Sequence, residues 1–335
     1  MNEATLDSPE SRVRTPVAKI PLAKVLLALI RREFWEHRQL WMVPLILFTL
    51  VLIGALFIRV IADNTGLHLD PFPWRSAGQA ANLTPEQSNV GVAMLMLLDW
   101  GMTTPLFIAV SIVIFFYLLQ SLFDERKDRS ILFWKSLPVS DGTTVASKLL
   151  VGIVIVPIGV FLLAMLDHLL ISAVVTARIA VGPSHQYPLL WDTLAWVKTE
   201  VLLFYSVLVT MLWVFPIAAY LMLTSAAARR NVFLWAILPP VLVSLVELPF
   251  GTHFFSQVVL RWVPGLWGVW GRWGEGQSPS IITTNDGAQL PYLPSTFDDV
   301  NLVGSLSDSR LWIGLVVGGV LTYCAVRIRR YRDDT

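Results

Sequence analysis

The chain has 335 residues, of which 55% are hydrophobic and only 15% charged. A soluble domain of this length carries about a quarter charged residues, so a water-soluble globular enzyme is excluded as the simplest reading. The formal net charge of +1 says little, because in such a chain the distribution of charge carries the information.

Residues 1–18 are polar and Pro-containing and read as a tail. The first forty residues show no small-residue cleavage site after a short apolar core, so no cleavable signal peptide is expected. Residues 19–40 read as an amphipathic helix. Lys24, Arg31 and Arg38 repeat every seven residues, with Ala28 and Trp35 on the same stripe. Leu22, Leu26 and Leu29 mark another face, with Leu27, Ile30 and Phe34 beside it. Such a helix lies in a membrane interface, as a working surface or as a plain anchor for the first span.

Six apolar runs then reach the ~17–25 residues needed to cross a bilayer core of about 30 Å. They fall near 41–61, 104–123, 149–176, 201–224, 232–250 and 311–326, within a membrane domain of 41–326. Basic residues divide unequally between the two sides. The N-terminal segment (Arg12, Arg14, Lys19, Lys24, Arg31, Arg32, Arg38) shares a side with the 121–148 loop (Arg126, Lys127, Arg129, Lys135, Lys148). Arg229, Arg230 and the 327–335 tail (Arg327, Arg329, Arg330, Arg332) join them. By the positive-inside rule these segments and both termini are expected in the cytoplasm.

Three segments fall outside: 62–103, 177–200 and 251–310. In the first, Thr84-Pro85-Glu86-Gln87 is a helix start, with Thr capping and Pro in the first turn. The apolar helix after it is expected to break at Gly101 and Pro105. In the last, "RWVPGLWGVWGRWGEG" carries Trp262, Trp267, Trp270 and Trp273. That density suits an interfacial belt or, more sharply, an aromatic cage. Pro157, Pro216 and the pair Pro239-Pro240 fall inside expected spans and should kink them; the pair reads as a static kink packed against its neighbours or, more sharply, as a hinge.

Catalytic signatures are missing. There is no G-x-x-x-x-G-K-[ST] loop for ATP phosphates, no H-E-x-x-H, no Cys/His cluster and no G-x-S-x-G. The single Cys324 allows no intramolecular disulfide. Ionisable groups within apolar runs are expensive, which makes Asp167, His168 and Glu247 candidates for a substrate path or gate. Asp167 and His168 also suit a solvated pair near the outer interface.

The most unusual stretch is "SLFDERKDRSILFWKSLPVSD". Three acids and three bases (Asp124, Glu125, Arg126, Lys127, Asp128, Arg129) precede the large apolar groups Phe133 and Trp134 and then Lys135. Pro138 should stop this helix and Ser140 cap the next. Apolar surface beside charge suits docking of a soluble partner, with immersion in the membrane surface as the alternative.

This stretch and "ALIRREFWEHRQLW" resemble the permease subunits of type-2 ABC exporters, a branch of bacterial transport permeases. The resemblance implies an all-α polytopic fold of six transmembrane helices with an N-terminal interfacial helix, in the bacterial inner membrane. It implies a permease dimer forming the pore, coupled to two copies of a separate ABC ATPase that binds ATP and Mg. No cofactor is expected on this chain and no nucleic acid among its partners; membrane lipids are expected around it. The implied coupling surface comprises Arg31, Arg32, Glu33, Glu36 and Arg38 together with Asp124 to Pro138. The competing readings are a membrane scaffold or sensor that recruits a cytoplasmic protein through the same loop, and an intramembrane enzyme using Asp167, His168 or Glu247.

Overall fold

The computed structural model describes residues 21–65, 85–136, 139–181, 193–247, 281–283, 289–291 and 302–331, with isolated positions from 249 to 262. Within some of these helices the side chains are described only in part. The expected tail 1–18 and nearly all of 251–301, including most of the Trp-rich run, lie outside the described residues.

The described chain is helical apart from a short antiparallel pair, β1 (Ile281–Thr283) and β2 (Gln289–Pro291). In order, α1 is Leu22–Glu36, α2 Gln39–Thr65, α3 Pro85–Lys127, α4 Ser130–Ser136 and α5 Asp141–Leu150. A π-helical turn, Val151–Ile155, joins α5 to α6, Val156–Val181. Then come α7 (Thr193–Ala227), α8 (Val232–Glu247), α9 (Leu302–Ser307) and α10 (Ser309–Tyr331).

Among the described residues, four helical stretches are long and apolar enough to cross a membrane: Thr103–Lys127, Asp141–Ile171, Trp196–Ala227 and Ser309–Tyr331. A fifth arises if α1 and the start of α2, bent by 63° at His37-Arg38, count as one broken span. The apolar helices α2, α3, α6, α7 and α10 pack around a shared core of Leu106, Tyr117, Leu118, Val145, Val160 and Met222. Their outward faces carry Ile108, Ile112, Leu162, Leu166, Leu212 and Val316, as helices surrounded by lipid would.

Several local expectations agree with these elements. Lys24, Ala28, Arg31, Trp35 and Arg38 are all exposed, so the heptad stripe does face outward. Helix α4 ends at Ser136, before Pro138, and the Ser140 hydroxyl accepts the Thr143 N–H at 3.1 Å as the cap of α5. Helix α3 starts at Pro85.

Others are corrected. The helix begun at Pro85 does not break at Gly101 and Pro105; it runs 43 residues to Lys127. A proline ring crowds the carbonyl four residues back. That position is Gly101, whose lack of a side chain leaves room for adjustment. The third expected span begins at Asp141, not 149, and Pro157 acts one turn earlier than its own position. Its missing N–H leaves the Ile153 carbonyl without the normal donor, and the backbone there widens into the π turn, with Val156 N–H bonding Val151 C=O. Gly152 in that turn packs against Leu118 of α3, where an added Cβ would lie 3.0 Å from the leucine.

The fifth expected span, 232–250, is described as a continuous helix as far as Glu247. Helix α8 has 16 residues, about 24 Å at 1.5 Å per residue, less than a bilayer core. Its Pro239-Pro240 pair is no loose joint. Pro240 cannot donate to the Ala236 carbonyl, and the Tyr220 hydroxyl of α7 donates to it instead at 2.8 Å. Helix α8 is thereby tied at its proline pair to the neighbouring helix.

Candidate functional site

Where α1, α3, α5 and α10 meet, four charged side chains are withdrawn from solvent. Glu33 of α1 and Lys148 of α5 are each 0% exposed, Arg329 of α10 is 4% and Glu125 of α3 is 6%. Lys148 is the hub. Its ammonium lies 2.8 and 3.0 Å from the two Glu33 oxygens and 3.1 Å from Glu125 Oε1. The Tyr117 hydroxyl donates to Glu33 Oε2 at 3.0 Å. Glu125 also receives Arg32 Nη2 at 3.0 Å on one oxygen and Arg329 Nη1 at 2.6 Å on the other. Arg329 reaches on to Asp141 at the start of α5, 3.1 Å away. Two buried carboxylates and two buried cations therefore balance, and every carboxylate oxygen of Glu33 and Glu125 is engaged, the condition for such a cluster to be tolerated.

Arg32 extends this core to the surface. It bonds Glu36 at 2.7 Å, and its guanidinium carbon sits 3.4 Å from the Trp134 ring centroid. A planar guanidinium over an indole is the most favourable cation–π pair. The Trp134 ring meets Phe133 edge-on, with centroids 5.0 Å apart, and Phe133 is 61% exposed. The short α4 is thus clamped to α1 through one arginine while offering an aromatic group outward.

The backbone shows why the charged run divides as it does. Helix α3 ends at Lys127, and Arg129 takes φ +56°, a left-handed conformation that ends a helix and turns the chain into α4. Arg126 points back, its Nη2 donating to the Ser225 and Ala228 carbonyls at 2.6 and 2.9 Å. It caps the C-terminal end of α7.

The expected coupling surface is therefore divided. Arg31, Glu36, Arg38, Lys127, Asp128, Arg129 and Phe133 are exposed, and Asp124 is half-buried. Glu33 and Glu125 are corrected: they lie inside the chain and present no surface to a partner in this conformation. Arg126, Arg32 and Trp134 are largely spent on internal contacts. The Lys135 side chain and Pro138 lie outside the described residues. Lys148, Arg329, Tyr117 and Asp141 were not foreseen as site residues, because an isolated Lys or Arg at the end of an apolar run reads as an interfacial anchor. Glu33, Glu36 and His37 place three possible metal-ligating atoms within 4.8 Å of one another. Lys148 already occupies both oxygens of Glu33, so a metal there would have to displace an ammonium.

The candidates for a path or gate separate. Glu247 accepts the Phe255 N–H at 2.7 Å, a bond that fastens the chain leaving α8. Pro239 and Pro240 sit where α8 is tied to α7. Asp167 and His168 are both 0% exposed, which replaces the expected solvated pair. His168 Nδ1 meets Glu200 Oε1 of α7 at 2.5 Å, a partner the sequence did not single out.

These features define a helical protein whose apolar helices fit a multi-pass membrane protein, with a buried ionic core at one end of the bundle. Comparison with protein-family models, curated proteins and solved structures gives no match.

Proposed function

We propose that the chain is the transmembrane permease subunit of an ATP-driven exporter, working as a dimer with two copies of a separate ATPase. The observation that carries this reading is the clamp of α1 to α4 by Arg32 and Trp134, set on the ionic core. It makes an amphipathic helix and a loop helix into one platform. That platform has exposed aromatic and charged groups outside and rigid links to α3, α5 and α10 inside. A force applied to α4 would reach α3 directly through Arg129 and α5 and α10 through Glu125. Only contacts that differ between ATP-bound and ATP-free states of the partner can move such an equilibrium.

In this proposal the platform faces the cytoplasm, where the basic residues place it, and both termini lie on that side of the bacterial inner membrane. Six crossings result if α2 spans alone and α8 crosses with the residues after it. Arg31, Glu36, Arg38, Lys127, Asp128, Arg129 and Phe133 form the contact surface, while Glu33, Glu125 and Lys148 transmit from beneath it. ATP and Mg bind the partner.

The test is purification of the full chain from its native membranes. An ATPase carrying a Walker motif should accompany it. A Phe133→Ala, Lys127→Glu, Arg129→Glu variant should accumulate normally in the membrane yet lose at least tenfold of the bound ATPase. A wild-type chain that purifies with no ATPase, or a variant that keeps its partner, would refute the proposal.

A further inference from the structure

Far from the ionic core, one acidic group has no hydrogen-bond partner among the described residues. Asp167 comes 19 residues after Lys148, about 28 Å along the same helical stretch. It lies inside the apolar stretch Asp141–Ile171, is 0% exposed, and both its carboxylate oxygens are buried without a hydrogen-bond partner. Beside it, His168 and Glu200 form their short pair, and the second Glu200 oxygen is also buried without a hydrogen bond.

Helix α6 packs against α2, α3, α7 and the π turn. Over its described side chains, 39–54, α2 brings no ionisable group to this level. The described charges of α3 (Asp124, Glu125, Arg126, Lys127) lie at the opposite end, as does Tyr117, and at this level α3 offers Thr103 and Thr104. Helix α7 brings Lys198, Glu200 and Tyr205. The side chains of Arg59 and Asp63 in α2, Asp99 in α3 and Arg178 in α6 lie outside the described residues. None of the described groups is within hydrogen-bond or ion-pair distance of Asp167.

An ionised carboxylate withdrawn from water without a partner costs many kcal/mol, and such a group neutralises instead. Asp167 and His168 are both fully buried, and a proton, the smallest cation, neutralises a buried carboxylate without needing any added space. We propose that Asp167 is a proton-binding site within the membrane, with the hydrogen-bonded His168–Glu200 pair as its polar neighbour. Any step that brings water or a cation to Asp167 would release the proton, and the return step would take one up. The proposal stands independently of the exporter reading.

Infrared difference spectra of the purified full chain in lipid, recorded between acid and alkaline pH, test it. A protonated carboxylic-acid carbonyl band should be present at neutral pH, shift on exchange into heavy water, and vanish in Asp167→Asn. Glu200→Gln should keep the band and displace its position. Should Asp167→Asn fail to accumulate, carbon-13 aspartate in the wild-type chain assigns the band by its isotope shift. A spectrum without a protonated carboxyl at neutral pH overturns the proposal. So does a band that ignores both the Asp167→Asn change and the aspartate label.

Discussion

Replacing Lys148 with Met removes the one cation shared by Glu33 and Glu125 while keeping an unbranched side chain of similar length. At contacts of 2.8–3.1 Å and an effective dielectric of about 20, each Coulomb interaction is roughly 5–6 kcal/mol. Desolvation, at several kcal/mol per ion, offsets much of this in the intact cluster. In the variant the offset disappears unevenly. Glu125 keeps Arg329 and Arg32, but Glu33, fully buried, keeps the Tyr117 hydroxyl and a His37 nitrogen 3.8 Å away. Breaking a buried pair from one side costs about 3–5 kcal/mol, and the hydroxyl left on Glu33 places the expectation at the lower end, about 3 kcal/mol. Unfolding of the purified chain by titration from mild into denaturing detergent, followed by tryptophan fluorescence, measures the change. A second substitution, Glu33→Gln, should recover most of the loss, because the orphaned charge is then gone. The coupling between the two sites should be at least about 2 kcal/mol. A Lys148→Met chain within about 0.5 kcal/mol of wild type, or additive behaviour of the two substitutions, would show that the cluster is hydrated and the packing account wrong.

Two further expectations concern helix contacts. An added Cβ at Gly318 of α10 would meet the Phe215 ring at 2.6 Å and the Pro216 backbone at 3.1 Å, whereas at Gly319 nothing lies within 4 Å. Gly318→Val should therefore cost about 1–3 kcal/mol in the same unfolding assay, and Gly319→Ala should be close to neutral. Tyr220→Phe removes the donor to the Ala236 carbonyl, which Pro240 cannot replace. It should cost about 1 kcal/mol and raise amide exchange on either side of the proline pair, at 236–238 and 241–244, while an unchanged exchange pattern would mean that this part of α8 holds itself.

What the sequence disclosed depended on how local the signal was. Pro138 and Ser140 mark a stop and a cap within a few residues, and the Lys24–Arg31–Arg38 stripe needs only helical geometry to point outward. Gly101 and Pro105 are local signals too, yet they misled, because both are breakers alone but sit four residues apart, where one relieves the crowding caused by the other. The ionic core was illegible for a different reason. Arg32 and Glu125 are separated by 93 residues, Glu33 and Lys148 by 115, and Glu125 and Arg329 by 204. Within "DERKDR" nothing distinguishes Glu125, turned inward, from Asp128, turned out. A charge is buried only if its partners arrive, and those are set by packing between distant helices. Asp167 and His168 stood out as unusual residues, but their burial depended on α7 supplying Glu200.

The span of 204 residues between Glu125 and Arg329 has a consequence for biosynthesis. As the chain emerges, α1, α3 and α5 can assemble early, and Lys148 can already join Glu33 to Glu125. One oxygen of Glu125 still waits for a helix that has not been made. Until α10 is synthesised and packed against α7, that oxygen and Asp141 at the start of α5 lack their arginine. Assembly intermediates stalled before α10 are thus electrically distinct from the finished fold.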